Sequence, residues 1–320
     1  MTTVKNRIPV FFSIDDRYAA CLAVAMKSLI SNANPDNHYH LIVLHNNLSE
    51  EHQKRIGALS TDFAKVEFVS MEGKLSEIND RAGSRLRCNY FTLTIFFRLL
   101  IADMFPQYDK GIYVDSDIIV PSDIAQLYQI DIGDCLLGAC SDLSITGIPV
   151  FMKYQDEAIG VGGRNYVNSG VLLMNMKKLR EVSMGRRFLE LFHKYHFDSV
   201  APDQDYINAM CKGKIFYLPK EWDTMPNENE SEIPNPKLIH YNLFSKPWNY
   251  DDIQYEDYFW KYAKESDYYE EILAEKEAFD DAKREEEQKM LEGMLENAAR
   301  IMKEEVTFRR VFESGKEQRL

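Results

Sequence analysis

The chain of 320 residues carries 51 acidic and 38 basic side chains, a net charge of −13, which argues against non-specific binding to nucleic-acid phosphates. With 45% hydrophobic and 12% aromatic residues, it has the composition of a folded chain and not a disordered one. No apolar run approaches the roughly 18 residues of a membrane span, and the N-terminus lacks a signal-peptide pattern.

Ile8 to Ile14 reads as a first strand closed by Asp15-Asp16, and Tyr18 to Leu29 carries apolar residues at helical spacing. His40 to Leu44 follows as a second strand. Ser49 is a helix N-cap candidate with Glu50 and Glu51 in the first turn, and Lys65 to Val69 is a third strand. Such alternation predicts parallel βαβ units and an open, doubly wound α/β sheet. Thr92 to Met104 is predicted as an apolar helix ending before Pro106, interrupted by Arg98. Gly111 to Val114, Leu136 to Ala139, Val171 to Met174, Ile215 to Leu218 and Lys237 to His240 are further apolar strands. Residues 1–262 are expected to form the catalytic domain and residues 263–320 a charged helical extension. From Lys264 to Glu305 there are 15 acidic and 7 basic side chains. Apolar residues recur there at Ile272, Leu273, Phe279, Leu291, Leu295, Ala298, Ile301 and Met302, a narrow stripe suited to packing on the domain or on a partner chain. Only the last stretch (Arg309, Arg310, Lys316, Arg319) offers the basic face that a peripheral membrane contact would use.

Cys21, Cys88, Cys135, Cys140 and Cys211 are odd in number and form no Cys-x-x-Cys pair. They read as reduced thiols, which makes the cytoplasm the expected compartment.

Asp115 and Asp117 end the strand Gly111-Ile112-Tyr113-Val114, and in extended chain residues i and i+2 face the same side. Two carboxylates beside an apolar core repel unless a cation neutralises them, and hard oxygen ligands suit Mg²⁺ or Mn²⁺. His240, closing another apolar strand, is the candidate third ligand, since ligands in open α/β sheets sit beyond the carboxyl ends of the strands. Lys246 could meet a phosphate. Asn168 and Asn175 flank a buried strand and offer amides of the kind sugar hydroxyls require, although Asn168-Ser169-Gly170 also suits a turn. Asp203-Gln204-Asp205 follows Pro202 at a helix start, where acids also serve the helix N-terminus. Gly160-Val161-Gly162-Gly163 lacks the spacing of a dinucleotide-binding turn.

Phe12-Ser13-Ile14-Asp15-Asp16-Arg17-Tyr18, Phe97-Arg98-Leu99, Tyr113-Val114-Asp115-Ser116-Asp117 and Leu137-Gly138-Ala139-Cys140-Ser141-Asp142 are followed by Asn168 to Asn175, Asp203-Gln204-Asp205, His240-Tyr241 and Lys246-Pro247-Trp248. In this order, over roughly residues 8 to 250, they resemble glycosyltransferase family 8, the family of glycogenin and of bacterial lipopolysaccharide galactosyl- and glucosyltransferases. The resemblance implies a GT-A-type fold, mixed but mainly parallel, and retaining transfer of glucose or galactose from a UDP-sugar to a glycan or glycoconjugate. It implies Mn²⁺ or Mg²⁺ on Asp115, Asp117 and His240. It places Ser13, Asp15, Tyr18, Arg98, Asp115, Ser116, Asn168 and Lys246 on the donor, with Gln204, Asp203 and Asp142 as catalytic positions. Two departures stand out: Leu243 falls where the family often has a Gly between the His and Lys-Pro-Trp, and Arg17 replaces a smaller polar residue. Acceptor choice is expected in Gly147 to Arg164 and Thr224 to Pro236.

Two rivals are distinct in class. A haloacid-dehalogenase-type phosphohydrolase also ends a strand in Asp-x-Asp, but its pair opens the domain and has Thr or Val where Ile119 stands. A non-catalytic scaffold would keep the fold and recruit partners through the acidic tail.

Overall fold

The structure, a computed structural model, describes residues 7–72, 93–145, 147–227, 231–244 and 246–320. Cys88, Thr92 and Ser245, and part of the Thr224–Pro236 passage, lie outside the described residues. Seven strands form one sheet in the order β3-β2-β1-β4-β7-β6-β8. They are β1 (Arg7–Asp15), β2 (His38–Asn46), β3 (Ala64–Ser70), β4 (Gly111–Val114), β6 (Leu137–Ala139), β7 (Val171–Met174) and β8 (Ile215–Tyr217). A separate two-stranded ribbon pairs β5 (Ile118–Ile119) with β9 (Ile239–His240). Within the large sheet only β7 runs against its neighbours. It is therefore a mixed, mainly parallel sheet flanked by helices.

The central strands read as unbroken apolar runs because both faces of the sheet are covered. Phe11, Ile42, Tyr113 and Leu172 point into one core. Val10, Phe12, Leu41, Val43, Ile112 and Leu173 point into the other, beneath the helix Ala19–Asn32. Ser49 caps the helix Glu50–Gly57 by accepting the His52 N–H.

Two expectations need correction. The stretch predicted as one helix is split: Leu93–Leu99 winds as a 3₁₀ helix, and an α-helix covers only Ile101–Met104. A physical reason is Arg98, whose Nε takes the Ile95 carbonyl at 3.0 Å and so competes for a helix acceptor. The strand foreseen at Lys237–His240 is two residues long and leaves the main sheet. The Lys237 and Leu238 amides instead donate to the Glu221 carbonyl.

The C-terminal helices wrap from one face of the sheet to the other. Phe259 and Tyr262 of Glu256–Ala263, Tyr268 of the following turn and Ile272 of the helix Tyr269–Glu277 join the core under Ala19–Asn32. Met294, Ala298 and Ile301 of Asp281–Ile301, with Phe308 and Phe312 of Phe308–Glu313, join the opposite one. Phe308 stacks on Phe197 at 4.0 Å and meets Tyr206 edge-on at 4.8 Å. The basic groups of the last stretch are used locally: Arg309 pairs with Glu313 at 3.0 Å, and Arg319 donates to the Ala209 carbonyl. No helix among the described residues is long and apolar enough to cross a membrane.

Candidate active site

The chain fills β1, β2 and β3 outward, then returns to place β4 on the other side of β1. A crevice opens where the strand order reverses, beyond the carboxyl ends of the strands. Asp15 ends β1 there, and Asp115 follows β4, held by its N–H to the Gly170 carbonyl at 2.8 Å. The chain then enters β5, whose Ile118 pairs with His240 of β9, and the Tyr241 N–H donates to the Asp117 carbonyl at 2.9 Å. A short ribbon therefore carries His240 back to the acidic pair.

Asp115, Asp117 and His240 offer ligand atoms that all lie within 4.8 Å of one another. His240 Nε2 is 3.4 Å from Asp117 and 3.9 Å from Asp115, while its Nδ1 faces Asp223 at 3.0 Å. A carboxylate behind an imidazole fixes ring orientation and strengthens the ligand. The donor set, two carboxylates and one imidazole, fits a divalent cation of the Mn²⁺ or Mg²⁺ kind. The backbone makes room for it at Gly170: a Cβ there would lie 2.3 Å from His240 Cε1 and 2.7 Å from Asp115 Oδ2. Burial works against a charged His240, yet Asp117 and Asp223 override it and hold its pKa at about 10. Burial likewise disfavours the Asp117 carboxylate, but Lys246 and His240 hold its pKa well below the usual carboxylate range. Lys246 pairs directly with Asp117 and donates to the Tyr241 carbonyl.

Behind this corner lies a polar shell. Arg98 is buried and spends its charge inside the protein: Nη2 donates to Asp115 at 2.8 Å and Nη1 to the Ser169 carbonyl at 2.7 Å, while Nε, which donates to the Ile95 carbonyl, lies 3.1 Å from Asp203 in an ion pair. Gln204 accepts the Ser169 N–H at 3.0 Å and donates to Asp142 at 2.8 Å. Asn168 turns its Oδ1 to the Gly170 N–H at 2.7 Å, closing the turn its sequence suggested. Asp205 is not part of the lining but is completely buried, accepting Tyr154 and Tyr166 hydroxyls at 2.6 Å each, and burial pushes its pKa up to about 6.

One cavity brings together all the donor, metal and catalytic positions that the family resemblance implied. Asn175, also expected to offer an amide, does not line it and instead caps the helix Met176–Glu181, accepting the Lys178 N–H at 3.2 Å. Ser13 donates to the Thr94 carbonyl at 2.6 Å, and Tyr18 and Ser116 also line the wall. Asp15 is engaged by the unusual Arg17, through the guanidinium at 2.9 Å and the backbone N–H at 3.1 Å. Leu243 adopts φ +56°, the left-handed region that glycine enters freely. The backbone thus keeps a glycine-like conformation under a larger side chain.

Of the passages expected to choose the acceptor, Phe151, Tyr154 and Gln155 line the cavity, and none of the described residues from Thr224 to Pro236 does. Three contributors that stand out were missed. Asp223 carried no periodic signal, and it orients His240 with its second oxygen buried and unpartnered among the described residues. Met290 and Met294 of the C-terminal helix also line the cavity. They sit four residues apart, each one position before Leu291 and Leu295 of the predicted apolar stripe but not counted in it, and periodicity does not say what such a face covers.

This fold and crevice define a glycosyltransferase of the GT-A type. The galactosyltransferase LgtC, solved with donor and acceptor sugar analogues, superposes with a TM-score of 0.67 and 27% identity, covering 81% of this chain and 96% of that one. The bifunctional glycosyltransferase WbbM gives 0.74 at 22% identity, a likeness of fold, over 84% of this chain and 52% of that one. The sequence pattern of Glycosyl transferase family 8 matches residues 9–252, and the chain belongs to that family. A putative glycosyltransferase of Haemophilus influenzae is 28% identical over 75% of this chain and 72% of its own length. The lipopolysaccharide 1,2-glucosyltransferase of Escherichia coli is 24% identical over the same shares.

Proposed function

We propose that the protein is a metal-dependent, retaining hexosyltransferase that moves glucose or galactose from a UDP-sugar to a glycan or glycoconjugate acceptor. The observation that carries this reading is the convergence of Asp115, Asp117 and His240, beside Lys246, at the switch point of the sheet. The likeness to a lipopolysaccharide glucosyltransferase and to LgtC supports a hexose donor and a cell-surface glycan, made from the cytoplasmic side.

Asp115, Asp117 and His240 would hold Mn²⁺ or Mg²⁺, which when bound supplies Lewis-acid stabilisation of the charge on departing UDP. Lys246 adds a fixed positive charge for the phosphates. Ser13, Asp15, Tyr18 and Ser116 face the nucleotide, and Asp142, Asn168 and Asp203 surround the sugar. Arg98, its donors already engaged, fixes Asp115 and Asp203 relative to each other. Gln204 faces the reacting carbon, but an amide is a weak nucleophile. A same-face displacement asks less of the protein. The bond from the anomeric carbon to phosphate breaks with its electron pair on phosphate. The acceptor oxygen bonds to that carbon from the same face, and its proton passes to the phosphate.

The test is a donor screen with Mn²⁺ in the absence of acceptor, read by UDP release. Slow hydrolysis of UDP-glucose or UDP-galactose is expected, lost on chelation, and reduced at least about a hundredfold in Asp115→Asn and His240→Ala. Neither turnover nor UDP binding would favour the scaffold. Phosphate release from simple phosphomonoesters, abolished by Asp115→Asn, would favour the phosphohydrolase.

A further inference from the structure

Lys246 sits at the start of a turn closed on itself, since the Asn249 and Tyr250 N–H groups both return to the Lys246 carbonyl at 3.0 Å. That turn does not stand alone. Lys276, on the helix Tyr269–Glu277 and outside the family-matched residues 9–252, reaches across to it. Its ammonium donates to the Pro247 carbonyl at 2.9 Å, the Tyr250 carbonyl at 2.7 Å and Asp251 at 2.9 Å. Three donors meet three acceptors, which exhausts what an ammonium can give. Asp251 is largely exposed and adds little; the two carbonyls fix the turn.

A second tie comes from the following helix, Asp281–Ile301. The Tyr250 hydroxyl donates at 2.7 Å to Glu287, itself buried, and Phe279 meets the Tyr250 ring edge-on at 5.0 Å. Glutamate is rarely buried without a task, and this one faces the loop that carries Lys246. The same helix then supplies Met290 and Met294 to the cavity.

We infer that Lys276 is a positioning residue for the donor site: it and the Tyr250–Glu287 bond hold the Lys246 turn in place for the donor's phosphates. The inference rests on the reading of the cavity as a UDP-sugar site. It makes the C-terminal extension a working part of that site.

Calorimetric titration of the full-length protein with UDP in Mn²⁺ separates the two ideas. Failure of the wild type to bind would sink the donor reading itself. Given wild-type binding, Lys276→Met, which keeps the stem and removes the three donors, should raise the UDP Kd about tenfold, roughly the worth of one charged hydrogen bond. KM for the UDP-sugar should rise with it while kcat falls less. In a Lys246→Met background the same change should add almost nothing, because its effect passes through Lys246. Tyr250→Phe, a milder cut, should weaken UDP about threefold by the same arithmetic and serves if Lys276→Met does not fold. An unchanged Kd in the folded variants, or an equal penalty with and without Lys246, would overturn the inference.

Discussion

Asp117 lines the cavity and Asp205 is fully buried outside its lining; they are the same residue type, and their surroundings part them. Asp117 lies among cations, with Lys246 and His240 at its oxygens, and its carboxylate is held ionised far below its usual range. Asp205 is surrounded by hydroxyls from Tyr154, Tyr166 and Ser199, with no cation paired to it among the described residues, and its pKa rises to about 6. Around Asp205 the hydroxyls do not fully offset burial of the charge, whereas around Asp117 the opposite charges do. The first acid is set up to meet a cation and the second to tie elements together. Asp205 anchors the start of the helix Pro202–Met210, which presents Asp203 and Gln204 to the cavity.

The largest effect expected from breaking this contrast is on activity. Asp117→Asn should lower donor turnover about a thousandfold, with melting temperature little changed, as read by UDP release and thermal unfolding. A variant retaining a tenth of wild-type turnover would show that the cation corner is not what drives the chemistry.

Asp223→Asn comes next. It keeps the shape behind His240 but weakens its carboxylate partner, and should cost about 10- to 100-fold in Mn²⁺ affinity, measured by metal titration of UDP release.

Asp205→Asn tests the other acid through stability. The folded pKa of about 6 exceeds the ordinary carboxylate value near 4. Below pH 4 the group is protonated whether folded or not and contributes nothing. Between pH 4 and 6 the unfolded chain ionises first, so stability falls as pH rises, reaching a penalty of about 3 kcal/mol above pH 6. Denaturant titrations from pH 4 to 7 should show a flatter profile for Asp205→Asn than for the wild type. Parallel profiles would mean that Asp205 ionises normally in the fold.

Leu243 gives the smallest effect. A left-handed leucine costs about 1–2 kcal/mol, and glycine relieves this while losing more chain entropy. Leu243→Gly should therefore stay within about 1 kcal/mol of wild type, while β-branched Leu243→Val should be clearly less stable. Equal stability of Gly and Val variants would remove the strain from this position.

Much of this was legible in the sequence where burial leaves a pattern. The first three strands read as apolar runs because helices cover both faces of the sheet. Asp115 and Asp117 announced themselves by two-residue spacing at a strand end, and His240 by ending another. Other features leave no local trace. β9 looks like a sheet strand, yet its partner is the two-residue β5, a choice made by tertiary packing. The helix foreseen through Arg98 gives way because the guanidinium competes for a backbone carbonyl. Asp223 is one acid among 51 in the chain until the fold sets it behind His240. Met290 and Met294 lie beside the apolar stripe of Leu291 and Leu295, and only the folded chain reveals that they reach the cavity.

The wrap of the C-terminal helices around the sheet has a consequence for biosynthesis. Domains tend to fold from the N-terminus as they are made, at about 5–20 residues per second. The strands and the acidic pair can thus assemble while the last helices are still being translated. Lys276 and Met294 arrive a few seconds after Lys246 at that pace, so Asp115, Asp117 and His240 are all synthesised before the Met294 wall of the cavity. The order of synthesis makes the helix Asp281–Ile301, which carries Met290 and Met294, a late wall of the cavity.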